Sequence, residues 1–473
     1  MTAERPFTLP EGFQFGLATA GFQVEGGYNG SGEPANNWAG WERSGRVEPS
    51  GIALDFWNEY EHHLERASAT GCDAFRLSVE WARCEPAPGE IDTGALAHYG
   101  RILSACHARG LAPLVTLHHF THPSWLGDDF WLSSEAPERF ATWASTAVNA
   151  LREHCQSWVT INEINVYAAQ TYLLGLFPPG RVLATGSLTR ALDHMLAGHV
   201  LAYDAIRARQ RQATIATNTY RFSAYETDRL LIDILLSRSN GVDRRGIGTW
   251  LGERRQQFMR TEPAHGWKEI ALRQLTATTI PLDKAFPRAI DAVFSSPNER
   301  TLDVAQIDFY DPRIDRKFRI PGHVTAGGRN WLPGRLLWDD PPDPAGLRRC
   351  CARTQEPGLG VWIVENGLCN RVRRGVAYPR LDGWDRVRYL RSNIGAAVGA
   401  LMDGVALGAY FHWCLADNYE WGSYEPRFGL YGIDRERGNR WKEVDSMGSP
   451  AAETFREIIA GLHAGDLSVI DLP

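Results

Sequence analysis

Eight short apolar runs constrain this chain more than any other feature. They are Gly12–Ala18, Ala74–Val79, Pro113–His118, Ser157–Ile161, Thr214–Thr219, Val304–Phe309, Val361–Val364 and Val405–Phe411. A run without polar alternation marks a strand covered on both faces. Helix-length segments lie between them. Phe56–Ala69 stops before Gly71, Thr93–Arg109 stops at Gly110, and Ser187–Arg209 and Trp384–Met402 have the same character. Alternating strands and helices predict a parallel sheet, and eight such units predict one α/β (β/α)8 TIM barrel. The 473 residues would also accommodate two or three smaller domains. The Pro- and Gly-rich segment Ile320–Gly346 is the best linker candidate. It falls inside the seventh unit, however, so it reads as a long βα loop over the mouth, and residues 1–473 read as a single domain. Residues 222–300 have weak periodicity and predict little.

Sites in such barrels gather at the C-terminal mouth, so the residues just past each run carry the functional signal. Two runs end alike. Val361-Trp362-Ile363-Val364 is followed by Glu365-Asn366-Gly367, and Ser157-Trp158-Val159-Thr160-Ile161 by Asn162-Glu163. One such glutamate would read as an acid turning the chain toward solvent. Two are what a two-carboxylate hydrolase requires. The other ends carry Gln23 and Glu25, Arg76, Ser78 and Trp81, His118, His119 and Trp125, Asn218, Asp308 and Tyr310, and Trp413, Asp417, Asn418, Glu420 and Trp421. Singly each is an ordinary rim residue, but together they line the mouth with hydrogen-bonding groups and indoles.

Composition narrows the partners. A net charge of -6 argues against nucleic acid and anionic membranes. No run reaches the roughly 18 apolar residues of a membrane span. The 17 tryptophans are costly to place wholly inside a core and make good platforms for sugar faces. The eight cysteines lack a Cys-x-x-Cys pair, so reduced structural thiols are expected rather than disulfides or zinc. Met1–Gly12 has no apolar core of a signal peptide, and a cytoplasmic location is expected.

The motifs at the strand ends resemble those of family 1 glycoside hydrolases, the retaining β-glycosidases. They are Phe15-Gly16-Leu17-Ala18-Thr19-Ala20 with Gln23 and Glu25-Gly26, Phe75-Arg76-Leu77-Ser78 with Trp81 and Arg83, and Thr116-Leu117-His118-His119. Thr160-Ile161-Asn162-Glu163, Val364-Glu365-Asn366-Gly367, Asp417-Asn418-Tyr419-Glu420-Trp421 and Arg427-Phe428-Gly429-Leu430 complete the set, in family order. The resemblance implies a β-glucosidase- or β-galactosidase-like enzyme acting on the terminal sugar of a small β-glycoside or oligosaccharide, with no metal or organic cofactor. It implies that Glu365 is the nucleophile, Glu163 the acid/base, Arg76 the cation beside Glu365, and Tyr310 a hydrogen-bond donor to it. Asn162 then binds the sugar 2-hydroxyl, Gln23, His119, Glu420 and Trp421 hold the other hydroxyls, and Trp413 floors the ring or packs in the core. His118 reads as structural, and Glu25, Glu80 and Asp417 as supporting groups. Arg76 is expected to lower the pKa of Glu365, and burial with the Glu365 charge to raise that of Glu163. Glu420-Trp421 argues against 6-phosphoglycosides, and Glu163 in place of Gln keeps the proton donor.

Three departures stand out. Ile164-Asn165 follows Glu163 where the family has proline, Phe120 follows His119, and Gln306-Ile307-Asp308-Phe309-Tyr310 places a carboxyl where the family has asparagine. Asp308, if unpaired, would raise the pKa of Glu365 or Glu163. Two alternatives carry weight. A transglycosidase on the same scaffold is motivated by the apolar loop holding Trp331 and Trp338. A sugar-binding homologue without catalysis is motivated by Asp308 and the missing proline.

Overall fold

The computed structural model describes residues 7–222, 224–262, 281–310 and 341–473, with positions 267, 270 and 273. The strands are β1 (Gln14–Ala18), β2 (Ala74–Ser78), β3 (Ala112–Thr116), β4 (Ser157–Val159), β5 (Thr214–Ala216), β6 (Asn218–Tyr220), β7 (Val304–Asp308), β8 (Gly360–Glu365), β9 (Asn370–Arg373), β10 (Val376–Tyr378), β11 (Leu407–Trp413) and β12 (Pro426–Arg427). One parallel sheet runs β5-β4-β3-β2-β1-β11-β8-β7-β6. Its two ends are consecutive in sequence. β5 pairs with β4 and β6 with β7, and the chain changes partner at Thr217, whose hydroxyl donates to Ile161 O at 2.7 Å. The fifth apolar run therefore closes the sheet into the (β/α)8 barrel, and all eight runs predicted as strands form it.

Helices Phe56–Ala69, Thr93–Ala108, Ala136–Leu151, Thr185–Arg209 and Arg386–Met402 cover the outer face. Asp92 caps the second through the Ala95 amide, and Asp385 the last through that of Arg388. The region of weak periodicity forms Leu230–Leu236, Ile247–Thr261 and Pro287–Ser295. The barrel interior is filled by Ala18, Ala74, Leu114, Val159, Val364, Ala409 and Phe411. Gly16 makes room for Phe411, because a Cβ there would lie 2.3 Å from its ring.

Several of the indoles belong to the core. Trp38, Trp81, Trp131, Trp143 and Trp158 are almost wholly buried. Burial is tolerable because four of the five donate their ring N–H: to Glu85, His118, Leu117 O and Gln210 respectively. Trp81 also stacks on Trp143 at 5.7 Å. All eight cysteines are free. No described helix is long and apolar enough to cross a membrane.

A buried ion pair ties the C-terminal segment to the exit of β8. Arg386 Nε meets Asp445 Oδ2 at 3.2 Å, both side chains being fully buried, and Arg386 also donates to Leu368 O and Arg427 O. Removing one partner leaves a charge stranded in low dielectric. Asp445→Ala is expected to lose about 3–5 kcal/mol of stability, seen as a lowered urea midpoint. A midpoint unchanged from the unaltered protein would contradict the pairing.

Candidate active site

The two strand-end glutamates converge at the C-terminal mouth by different local devices. Glu163 follows β4 in a left-handed conformation, φ +38°, which re-aims its side chain. Its N–H donates to Asn218 Oδ1 at 3.2 Å. Glu365 closes β8 after a register irregularity. Ile307 pairs with Ile363, but Asp308 pairs with Glu365, so Val364 is the extra residue. Such a bulge sets Glu365 beside Asp308 instead of leaving it one position further on. Gly367 completes the turn, since a Cβ there would lie 2.2 Å from Trp413 O. Carboxyl oxygens of Glu163, Asp308 and Glu365 lie within 4.8 Å of one another, and all three residues are buried.

Glu365 is clamped. Arg76, on β2 and fully buried, donates to its Oε1 at 2.7 Å, and Tyr310 OH donates to its Oε2 at 2.9 Å. Arg76 is itself fixed by Thr116 Oγ1 at 3.1 Å and by Asn162 Oδ1. Tyr310 stacks on Tyr220 with ring centroids 5.8 Å apart. Burial raises the pKa of Glu365, with Arg76 and Tyr310 acting against it. The expected net lowering by Arg76 is thus reversed, because the carboxyl loses more hydration than the guanidinium restores. Glu163 is held well above the ordinary carboxyl range by burial first, then by the charges of Asp308 and Glu365. Asp308 is also raised well above its usual value by burial and Glu365. Asp308 therefore acts on Glu163, one of the two outcomes anticipated. Of the three, the clamped Glu365 ionises most readily.

A second polar group lies beside the carboxyls. Gln23 Nε2 donates to Glu420 Oε2 at 3.0 Å and to Asn418 Oδ1 at 3.2 Å. Trp413 Nε1 donates to Glu420 Oε1 at 3.1 Å. Burial pushes the Glu420 pKa up to about 8. His119 lies parallel to Trp413 at 5.8 Å and to Trp421 at 5.7 Å, and meets Asn162 Nδ2 at 3.2 Å. Burial and Arg76 keep His119 neutral. Gln23 Oε1 and His119 Nδ1 are buried without partners among the described residues. A buried polar atom without a partner is costly, and a ligand hydroxyl would relieve that cost.

Every predicted catalytic and sugar-binding residue falls in this mouth. Trp413 is buried and lies beside His119. His118 accepts from Trp131 and is structural. Trp81 packs in the core, and Trp125 donates to Glu85 O under Arg139, so neither joins the site. Glu25 accepts from Tyr99 and Arg83, Glu80 from Ser78 and Thr121, and Asp417 from the Gly429 amide, all as supports. Trp331 and Trp338 lie outside the described residues. Thr116 and Tyr220 were missed, and their only signal is an inward-facing place on a barrel strand. Three carboxylates at this spacing could ligate a hard cation. Against that, Arg76 already supplies a positive charge, and burial favours neutral Glu163.

The sequence model of glycosyl hydrolase family 1 matches residues 5–240 and 330–448. The chain is 27% identical over 455 residues to beta-glucosidase 47 of Arabidopsis thaliana, covering 91% of this chain and 82% of that protein. It is 26% identical over 468 residues to a 6-phospho-beta-galactosidase of Lacticaseibacillus casei, covering 92% and 95%. It is 27% identical over 457 residues to a bifunctional beta-D-glucosidase/beta-D-fucosidase of Bifidobacterium breve, covering 92% and 96%. The structure of Thermotoga maritima beta-glucosidase in complex with deoxynojirimycin shares the fold, with a TM-score of 0.71 at 20% identity over 96% of this chain and 99% of that one.

Proposed function

This chain belongs to glycosyl hydrolase family 1 and is a retaining β-glycosidase, and on that premise we propose that Glu365 is its nucleophile and Glu163 its acid/base. The observation that carries the assignment is the pair of carboxyl oxygens within 4.8 Å. Retaining enzymes hold the two carboxyls about 5–5.5 Å apart, whereas inverting ones leave about 6.5–9.5 Å for a water. The clamp on Glu365 supports the nucleophile, because it is the carboxyl most easily ionised. Glu163, kept protonated by burial and its neighbours, has the proton to give. Glu365 attacks C1 while Glu163 protonates the leaving oxygen. Glu163 then takes a proton from the water that releases the sugar from Glu365.

The substrate is the terminal sugar of a small β-glucoside or β-galactoside, and the chain acts as one catalytic unit over residues 1–473. Asn162 would take the 2-hydroxyl, and Gln23, His119, Glu420 and Trp421 the others, over Trp413. The hydrogen-bond donors around Glu420, from Gln23 and Trp413, are neutral, whereas a sugar phosphate needs a cation. The kcat/KM for nitrophenyl β-glucoside is expected to exceed that for its 6-phosphate by about 100-fold, the cost of one unpaired buried charge. Faster turnover of the phosphate would overturn this part of the reading.

The test of the mechanism is the first-formed anomer, followed by proton NMR on an aryl β-glucoside. β-Glucose is expected, and α-glucose appearing first would refute double displacement. The pH profile should be bell-shaped. Activity falls at low pH as Glu365 is protonated and at high pH as Glu163 loses its proton. Both pKa values are raised by burial, Glu163 further, so the window lies above that of ordinary carboxyls.

A further inference from the structure

We propose that Asp308 and Glu163 form a carboxyl dyad sharing one proton, so that Asp308 sets the protonation of the acid/base. This rests on the reading of Glu163 as acid/base and adds a residue to it. Asp308 is fully buried at the end of β7, where the family motif carries an amide. Asn218, on β6, donates to its Oδ2, and Asn218 also donates to Asn162 Oδ1 at 2.9 Å. Asp308 Oδ1 receives no donor from an amide, hydroxyl or guanidinium among the described residues. The carboxyl of Glu163 is within reach, with an oxygen within 4.8 Å of one of Asp308's, and both residues are buried. Two carboxyls can share a hydrogen bond only if one of them carries a proton.

The charged and titratable groups facing Asp308 fix the remaining balance. They are Glu163 after β4, Glu365 on β8, Arg76 on β2 and Tyr310 just past β7. Arg76 is committed to Glu365 and Asn162, so no cation is bonded to the dyad among the described residues. Like charges this close cannot both ionise cheaply, and one proton stays between them. Asp308 is thereby a positioning residue for that proton. As Glu365 bonds C1 and the C1–O bond breaks, the shared proton passes to the leaving oxygen, and Glu163 and Asp308 are both anionic. That dianion is a stronger base than Glu163 alone. It draws a proton from the water whose oxygen bonds C1 as the Glu365–C1 bond breaks, which restores the dyad.

The test is the alkaline limb of kcat/KM for an alkyl β-glucoside, whose leaving group needs the proton. Asp308→Asn keeps the shape and the bond from Asn218 but removes the charge. The limb is expected to fall by about 1 pH unit or more. Asp308→Ser, a second neutral variant in case the first fails to fold, should shift it the same way, and Asp308→Glu should move it back up. A dinitrophenyl β-glucoside, which needs no proton, should show no such shift in its first step. An alkaline limb unmoved in a folded neutral variant would overturn the dyad. Glu163→Ala, assayed on the same two substrates, tests the acid/base separately. Loss confined to the alkyl glucoside there sustains Glu163 whatever Asp308 does.

Discussion

Glu365→Ala is expected to lower kcat/KM on an aryl β-glucoside by about 10⁵-fold or more, because no step can proceed without the group that bonds C1. The loss should be equal for good and poor leaving groups. The variant has a second signature. Arg76 is fully buried, and its ion-pair partner is Glu365. Truncation leaves the guanidinium without a counter-charge next to a side-chain-sized cavity, which draws in a small anion. Added azide should therefore restore turnover of a dinitrophenyl β-glucoside and release the α-glycosyl azide, formed by one displacement from the side Glu365 occupied. Residual activity within 100-fold of the unaltered enzyme, or a β-azide, would show that another group is the nucleophile.

Glu163→Ala should give a loss that depends on the leaving group. General acid catalysis contributes about 10²–10⁴-fold, so an alkyl β-glucoside should lose about that much. A dinitrophenyl β-glucoside departs without a proton and should keep a nearly normal first step. Its second step still lacks a base, so the glycosyl-enzyme should accumulate and KM should fall. Stopped-flow release of dinitrophenol should then show a burst followed by a slow steady rate. Equal losses on both substrates would mean that Glu163 does not carry the leaving-group proton. Asp308 next to the vacated position is a poor substitute, since it is anchored by Asn218.

How much of this was written in the sequence follows from what each feature depends on. The barrel was legible because a strand buried on both faces needs a continuous apolar run, and all eight runs answer to that rule. His119, Asn162, Glu163, Tyr310, Glu365 and Trp413 were legible because each sits one or two places past such a run. The pairing of Asp308 with Glu365 was not, since it comes from the extra residue Val364 in β8, and a bulge leaves no mark in composition. The break at Thr217 that closes the sheet was hidden for the same reason. The tryptophans were read too far toward sugar platforms. Their burial depends on finding acceptors such as Glu85 and Gln210, which are distant in sequence. The direction of the Glu365 shift was misjudged because its burial cannot be weighed against Arg76 until both are placed. Parts of residues 222–300 stayed opaque because short helices such as Leu230–Leu236 and Leu282–Ala285 give too few turns for a period to register.

The central claim is that Glu365 bonds the sugar, and mass spectrometry tests it most directly. A dinitrophenyl 2-deoxy-2-fluoro-β-glucoside slows both steps, the second more, so the intermediate should persist. Digestion of the inactivated protein is predicted to give one peptide heavier by a fluoroglucosyl group, with fragmentation placing it on Glu365. An adduct on Glu163 or Asp308, or slow turnover with no adduct at all, would contradict the account.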